Sequence, residues 1–244
     1  MKHDWIVPDW PAPPGIRALI TTRSGGASSG VFTSMNLGGQ VGDDAAACRE
    51  NRARLRSMLP AEPLWLRQVH GNTVVEAPLA APETVADGAV ARVPGAVIAV
   101  LTADCLPLLL CDRQGTAVGV VHAGWRGLAA GVIENTVAKM QVDPSQLMAY
   151  LGPAIGAAAY EVGEDVRREF VAADQRAKAA FANRSPGKYL ADLYLLARQR
   201  LAKMGIMAVH GGGFCTFAES GRFFSYRRDG PTGRMASLIW MENS

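Results

Sequence analysis

The stretch LPLLLCDRQGTAVGVVH, residues 106–122, determines the predicted fold class. Its first apolar run ends at Cys111, the turn residues DRQG follow, and a second apolar run extends from Ala117 to His122. Two short apolar runs joined by a turn that contains glycine are typical of a β-hairpin with buried strands. Because side chains alternate along a strand, His122 is expected on the same face as Val120. The stretch therefore predicts a buried hairpin with a histidine near one end.

Helical periodicity and further apolar runs extend this prediction to an α/β fold. Strands are expected over residues 96–102 and 235–241, and a weak helical pattern covers residues 45–58. Three stronger helical stripes consist of Leu128, Val132, Ile133, Val137 and Met140; of Val166, Phe170 and Val171 behind Gly163; and of Leu190, Leu193, Tyr194, Ala197, Leu201 and Met204 before Gly205. No repeat or low-complexity linker divides the chain, so we expect one α/β domain over residues 1–244, with packed mixed sheets flanked by helices.

Composition excludes several classes of protein. The 244 residues are 49% hydrophobic and 19% charged, which is typical of a globular chain and not of a disordered or fibrous one. The net charge of +3 is too small to indicate binding to nucleic acid or membranes through bulk electrostatics. Four cysteines without a CxxC pair indicate a reducing, cytoplasmic setting. We find neither an N-terminal signal segment nor an apolar stretch of about 18 residues that would span a membrane.

The number of histidines limits the metal chemistry. A multicopper oxidase combines a blue-copper site with a three-copper cluster, and most of the ligands are imidazoles. The four histidines of this chain, His3, His70, His122 and His210, are too few for such an enzyme. The sequence therefore permits one small metal site and argues against a polyphenol oxidase of the laccase type.

Three segments place reactive side chains beside glycines or strand ends. They are WLRQVHGN at residues 65–72, TADCLP at residues 102–107 and VHAGWRG at residues 121–127. His70, Cys105 and His122 offer two imidazoles and a thiolate, which suit Zn²⁺, and three protein ligands leave a fourth position for water or substrate. Two alternatives stay open, since Cys105 is either a nucleophile with a histidine as its base or an unreactive packed thiol.

Arginines supply candidate anion contacts. Arg126 lies in a glycine-flanked loop before a predicted helix, where free backbone N–H groups and a guanidinium suit a phosphate or carboxylate. An ordinary strand–loop–helix turn is the alternative. Arg227 follows three aromatic residues in the segment 223–230, which fits either a base- or anion-binding surface or an edge strand with solvated arginines. Of the remaining cysteines, Cys48 and Cys111 are expected to be structural.

A series of short motifs in fixed order covers nearly the whole chain. The motifs are TTR at residues 21–23, MNLG at 35–38, VGDD at 41–44, ENR at 50–52, QVHG at 68–71, TADCLP at 102–107, HAGWRG at 122–127, LGPAIG at 151–156, YEVG at 160–163, FFSYRR at 223–228 and TGR at 232–234. In these motifs the chain resembles the YfiH family, whose members are also named laccase domain or multicopper polyphenol oxidoreductase. The resemblance implies a fold similar to the catalytic domain of cytotoxic necrotizing factor.

The same resemblance implies site residues and chemistry. In the family, the metal is held by the residues that correspond to His70, Cys105 and His122. Zn²⁺ is the expected ion, with Cu²⁺ as the second choice. The motifs that contain arginine, and not the resemblance itself, make Arg126 the leading expected phosphate contact, with Arg23, Asn36 and Arg227 as further expected substrate or phosphate contacts. Gln40 stands where close members of the family have a histidine, so no imidazole is expected at that position.

Family members are described as purine nucleoside phosphorylases that also deaminate adenosine, and bacterial members are also named peptidoglycan editing factor. The resemblance thus implies a zinc-dependent phosphorylase of adenosine, inosine, guanosine and methylthioadenosine with adenosine deaminase activity. The alternative enzyme removes a misincorporated amino acid from a UDP-MurNAc precursor. A binding or regulatory module with a structural metal would need a fourth ligand, for which Cys215 and His210 are the candidates. The expected partner is a small molecule, with no nucleic acid or membrane, and the protein is expected to be a monomer or homodimer.

Overall fold

The computed structural model describes residues 3–243, in which strands and helices are interspersed. The strands are β1 (Ile16–Ile20), β2 (Val74–Ala77), β3 (Gly88–Ala91), β4 (Ile98–Thr102), β5 (Leu106–Asp112), β6 (Val118–Ala123), β7 (Leu147–Leu151), β8 (Glu161–Gly163), β9 (Phe181–Ser185), β10 (Lys188–Ala191), β11 (Ala208–Gly211) and β12 (Met235–Met241). The α-helices are α1 (Ala45–Arg56), α2 (Trp125–Ala129), α3 (Val132–Met140), α4 (Glu164–Ala173), α5 (Leu193–Lys203) and α6 (Tyr226–Asp229). Short 3-10 helices cover Gly30–Phe32, Pro144–Gln146, Ala157–Ala159 and Gln175–Ala180.

A mixed sheet with the strand order β11-β7-β5-β6-β3-β2 forms the centre of the fold. Its inner strand pairs are antiparallel, whereas the two outer pairs, β11 with β7 and β2 with β3, are parallel. The predicted hairpin is confirmed, because β5 and β6 are antiparallel neighbours in which Cys111 pairs with Val118 and Pro107 pairs with His122. Two smaller sheets have the strand orders β1-β12-β4 and β8-β10-β9.

Both faces of the central hairpin are covered, which accounts for its continuous apolar runs. Leu106 and Leu110 belong to a cluster with apolar residues of α3, α4 and α5. Leu109 and Val120 belong to a second cluster, with residues of the β1-β12-β4 sheet. His122 shares the face of Val120, so its side chain lies toward the small sheet. The layers confirm the predicted α/β class of mixed sheets flanked by helices.

The helix predictions need two corrections. The stripe over residues 128–140 does not form a single helix, because Gly131 has a left-handed φ of 88° and separates α2 from α3. Leu190 lies in β10 and not in the following helix, which starts after the N-cap Asp192. Gly205, with a φ of 86°, follows α5 as predicted. Strand β12 has the predicted bounds, and no helix within residues 3–243 is long and apolar enough to cross a bilayer.

The segment from Phe223 to Gly230 is not an edge strand. Phe223 and Phe224 are completely buried and form a small cluster with Met235. The chain then turns into α6, where Oγ of the N-cap Ser225 accepts a hydrogen bond from the backbone N–H of Arg228. The edge-strand alternative for this segment is therefore wrong, since its two phenylalanines pack inward and Tyr226 and the arginines follow on a short helix.

Candidate active site

The three predicted metal ligands converge at one end of the β5–β6 hairpin. Cys105 ends the short connection between β4 and β5, and His122 lies near the end of β6. His70 belongs to the loop that precedes β2. The candidate donor atoms of these side chains, here called the metal triad, all lie within 4.8 Å of one another. The centroids of the two imidazole rings are also 4.8 Å apart.

The donors of the metal triad fit a zinc ion. Two imidazoles and one thiol are preferred zinc ligands, and a three-residue site leaves a fourth position for water or substrate. Among residues 3–243, no other group of three or more His, Cys, Asp or Glu side chains converges in this way. Cys215 and His210 do not belong to the group. The Sγ atom of Cys215 instead accepts a hydrogen bond from the backbone of Gly156. This arrangement favours an open site over a closed structural one.

The protonation states of Cys105 and His122 depend on each other. Burial raises the pKa of the Cys105 thiol, but the charge and hydrogen bond of His122 outweigh burial and lower that pKa below its usual value. Burial lowers the pKa of His122, whereas the Cys105 thiolate and a hydrogen bond to Asp87 raise it above its usual value. The pair therefore favours the thiolate, which is the form of sulfur that binds metals and attacks electrophiles.

Gly124, the N-cap of α2, leaves room for the metal triad. A Cβ atom at this position would lie 2.9 Å from Sγ of Cys105 and 3.0 Å from Cδ2 of His70. The φ of Gly124 is −65°, which any residue adopts. Glycine is thus needed here for the close approach of two ligands and not for an unusual backbone conformation.

Two loops of the site contain a residue in the left-handed region. His70 has a φ of 61° and Asp104 a φ of 95°. Such values are uncommon for residues with a Cβ atom and are concentrated at functional sites. The Asp104 carboxylate accepts hydrogen bonds from Oγ1 of Thr216 at 2.6 Å and from the backbone N–H of Arg227 at 2.7 Å. These bonds connect the residue before Cys105 to Thr216 and to the start of α6.

A cavity of about 590 Å³ opens beside the metal triad, which forms part of its wall. Arg227 and Arg234 also line the cavity, and each guanidinium lies over a tyrosine ring. The distance from the guanidinium carbon to the ring centroid is 5.2 Å for Arg227 over Tyr160 and 6.0 Å for Arg234 over Tyr226. Burial raises the pKa of Tyr160, so its phenol stays neutral. The wall therefore combines cationic groups with aromatic faces.

Of the four predicted substrate contacts, Arg227 lines this cavity and the other three do not. Arg126 is exposed and lies over the Trp125 ring, 4.5 Å from its centroid. Arg23 donates hydrogen bonds to two backbone carbonyl groups of neighbouring loops. The buried amide of Asn36 bonds mainly to the backbone of its own loop and of the segment before β12. Asn36 and Arg23 thus have visible roles in loop packing.

The motifs alone assign no role to three further residues of the site. Arg234 and Tyr160 line the cavity, and Asp87 forms a hydrogen bond to His122. Arg234 and Tyr160 lie in the TGR and YEVG motifs, and this position is the only sequence signal for them. Asp87 directly precedes the apolar run of β3, and a carboxylate at the start of a buried strand requires a partner.

Comparison with known proteins agrees with the motifs. The family model described as multi-copper polyphenol oxidoreductase laccase matches residues 17–242. A Pseudomonas aeruginosa protein named purine nucleoside phosphorylase is 54% identical over 98% of this chain and 99% of its own. An Escherichia coli protein named purine nucleoside phosphorylase YfiH is 51% identical over 97% of this chain and 98% of its own. A crystal structure of a Neisseria meningitidis protein, 51% identical, covers 98% of this chain and 100% of that chain with a TM-score of 0.95. The chain therefore belongs to the YfiH family, described as multi-copper polyphenol oxidoreductase laccase proteins, as its motifs predict.

Proposed function

We propose that this protein is a zinc-dependent purine nucleoside phosphorylase that acts on adenosine, inosine, guanosine and methylthioadenosine. The observation that carries the proposal is the cavity that brings the metal triad together with Arg227 and Arg234. The names of the Pseudomonas and Escherichia relatives, at more than half identity over almost the full chain, support the same reaction.

Phosphorolysis requires that phosphate is held beside C1′ of the ribose. The bond from C1′ to N9 of the purine breaks, a phosphate oxygen forms a bond to C1′, and N9 takes up a proton. Arg227 and Arg234 offer charged donors suited to the phosphate. The rings of Tyr160 and Tyr226 offer apolar faces to the purine. A purine nucleoside and phosphate together match the mixed chemistry of this wall.

The metal triad adds a site for Lewis-acid chemistry in the same cavity. His70, Cys105 and His122 would hold the ion, and zinc supplies polarisation of a substrate oxygen or a lowered pKa of water. Its open fourth position also supports adenosine deamination as a second activity of this site. The four histidines remain too few for a multicopper oxidase, so oxidation of polyphenols is not proposed.

Product analysis of adenosine with the zinc-loaded protein tests the proposal. In phosphate buffer we expect adenine and ribose 1-phosphate, with adenine formation dependent on phosphate. Inosine would report the deaminase activity, which needs no phosphate. Adenosine and inosine left unchanged at high enzyme concentration, with metal bound, would refute the phosphorylase. A UDP-MurNAc precursor carrying the wrong amino acid would then be the next substrate to test.

The arginine that binds phosphate can be identified by a matched pair of variants. Arg227→Met is expected to raise the KM for phosphate about 10- to 100-fold, because a hydrogen bond to a charged group is worth about 1.5–3 kcal/mol. Arg126→Met, which removes an exposed arginine outside the cavity wall, should change that KM less than about twofold. Initial rates over a range of phosphate concentrations give both values. The reverse result would place the phosphate at the start of α2, where Arg126 lies.

A further inference from the structure

Asp87 connects the two histidines of the metal triad. It directly precedes β3, and its side chain is completely buried. Its Oδ1 atom lies 2.8 Å from Nδ1 of His122. The backbone N–H groups of Val69, His70 and Gly71 also donate to the carboxylate, at 3.2, 2.9 and 2.7 Å. One carboxylate thus contacts both the strand of one ligand and the loop of another.

The bond to Asp87 fixes the tautomer of His122. Both oxygens of the Asp87 carboxylate accept backbone N–H hydrogen bonds from the loop, an arrangement that suits the ionised form of the group. An ionised carboxylate accepts hydrogen bonds and does not donate them. Nδ1 of His122 therefore carries a proton, and in the neutral ring Nε2 keeps the lone pair that a metal needs.

The same carboxylate also holds the loop of His70. This loop is not part of a strand, and His70 is an exposed residue with a left-handed backbone. Three consecutive N–H groups of the loop donate to the carboxylate, so the loop needs an acceptor at their centre, and a carboxylate suits such a group of donors. The buried position of Asp87 thereby fixes the loop relative to His122.

We propose that Asp87 is the positioning residue of the metal triad, which sets the tautomer of His122 and holds His70 within reach of the same ion. This inference rests on the metal-binding part of the proposed function. Asp87 is not among the residues that line the cavity, so it acts through the two histidines and not on the substrate.

The variant Asp87→Asn keeps the shape of the side chain and changes its hydrogen-bonding capacity. If the new amide NH₂ faces His122, Nδ1 becomes an acceptor and the ring proton moves to Nε2, where it blocks a metal. If the NH₂ faces the loop, it meets the N–H donors of residues 69–71 and displaces His70. Both orientations predict zinc binding that is about 10- to 100-fold weaker.

Zinc affinity, measured by competition with a chromophoric chelator, tests this role without using activity. Wild type, Asp87→Asn and the control Asp112→Asn are compared. Asp112 is a matched control because its buried carboxylate also accepts N–H and hydroxyl hydrogen bonds, but at the opposite end of the hairpin. The control is expected to bind zinc within about twofold of wild type. Equal zinc affinities of wild type and Asp87→Asn would overturn the proposed role of Asp87 and leave the metal site standing. A wild-type protein without zinc affinity would overturn the metal site as well.

A measurement on wild type keeps the test valid if Asp87→Asn does not fold. Nitrogen NMR of zinc-loaded protein with labelled histidine reports the tautomer of each ring, and the chain has only four histidines. The His122→Gln variant identifies the His122 signals by their loss. We expect a proton on Nδ1 of His122 that exchanges slowly with water, and no proton on Nε2. A proton on Nε2 would show that Asp87 does not set the ligand tautomer.

Discussion

Replacement of Cys105 by alanine is expected to abolish adenosine phosphorolysis and to weaken zinc binding by about two to three orders of magnitude. Zinc binding by a set of about four ligands is worth roughly 10–16 kcal/mol, so the loss of one ligand removes about 3–4 kcal/mol. The fold should persist, because Cys105 is only half-buried and lies in a connection between strands. Product analysis, chelator competition and circular dichroism measure the three effects.

The matched control for this variant is Cys48→Ala. Cys48 is a buried cysteine on α1, does not belong to the metal triad and does not line the cavity. The Cys48→Ala variant should keep both the zinc affinity and the phosphorolysis activity of wild type. If Cys105→Ala binds zinc like wild type and is inactive, the thiol acts as a nucleophile and not as a ligand. If Cys105→Ala is fully active, the whole assignment of the site is wrong.

Replacement of Phe224 by alanine is expected to lower the free energy of unfolding by about 3–5 kcal/mol. Phe224 is completely buried and packs with Phe223 and Met235. Gly233 lies against its ring so closely that a Cβ there would be 2.6 Å from Cζ. The guanidinium carbon of Arg23 lies 4.9 Å from the centroid of the Phe224 ring. Truncation would therefore leave a cavity with a polar neighbour.

Thermal unfolding measures this loss, because about 1 kcal/mol corresponds to a change in Tm of about 2–4 °C in a chain of this size. Phe217→Ala is the control, since Phe217 is a phenylalanine of the same region that is 36% exposed. Phe217→Ala should lower the free energy of unfolding by less than about half of the amount expected for Phe224→Ala. Equal shifts in Tm for the two variants would contradict the structural role of the buried Phe224 ring.

The sequence was sufficient for the parts of the fold that depend on local periodicity. The hairpin over residues 106–122 and strand β12 follow from apolar runs of the right length, and α4 follows Gly163 as expected. The break at Gly131 was missed because the apolar stripe continues across it with helical spacing. The spacing of apolar residues indicates which face of a helix is buried. It does not indicate at which residue the backbone adopts a left-handed φ.

The order of the strands could not be predicted, and part of the site depends on it. Asp87 contacts His122 because β3 pairs with β6 in antiparallel register, with Gly88 opposite Val121. This pairing joins segments about 30 residues apart, and no local pattern specifies it. The metal triad itself was predicted from chemistry and family resemblance, while Arg234 and Tyr160 needed the three-dimensional arrangement of the cavity.

The pairing of β5 with β6 also makes the site sensitive to the length of a distant turn. The turn after Asp112 lies at the end of the hairpin opposite Cys105, and it determines that His122 pairs with Pro107. Insertion or deletion of a single residue in the turn would slip the register and move the His122 side chain to the other face of the sheet. Substitutions in the turn that keep its length are expected to lower stability and leave the metal triad in place. A change in the length of the turn is expected to disable the metal triad, although the turn does not contact it.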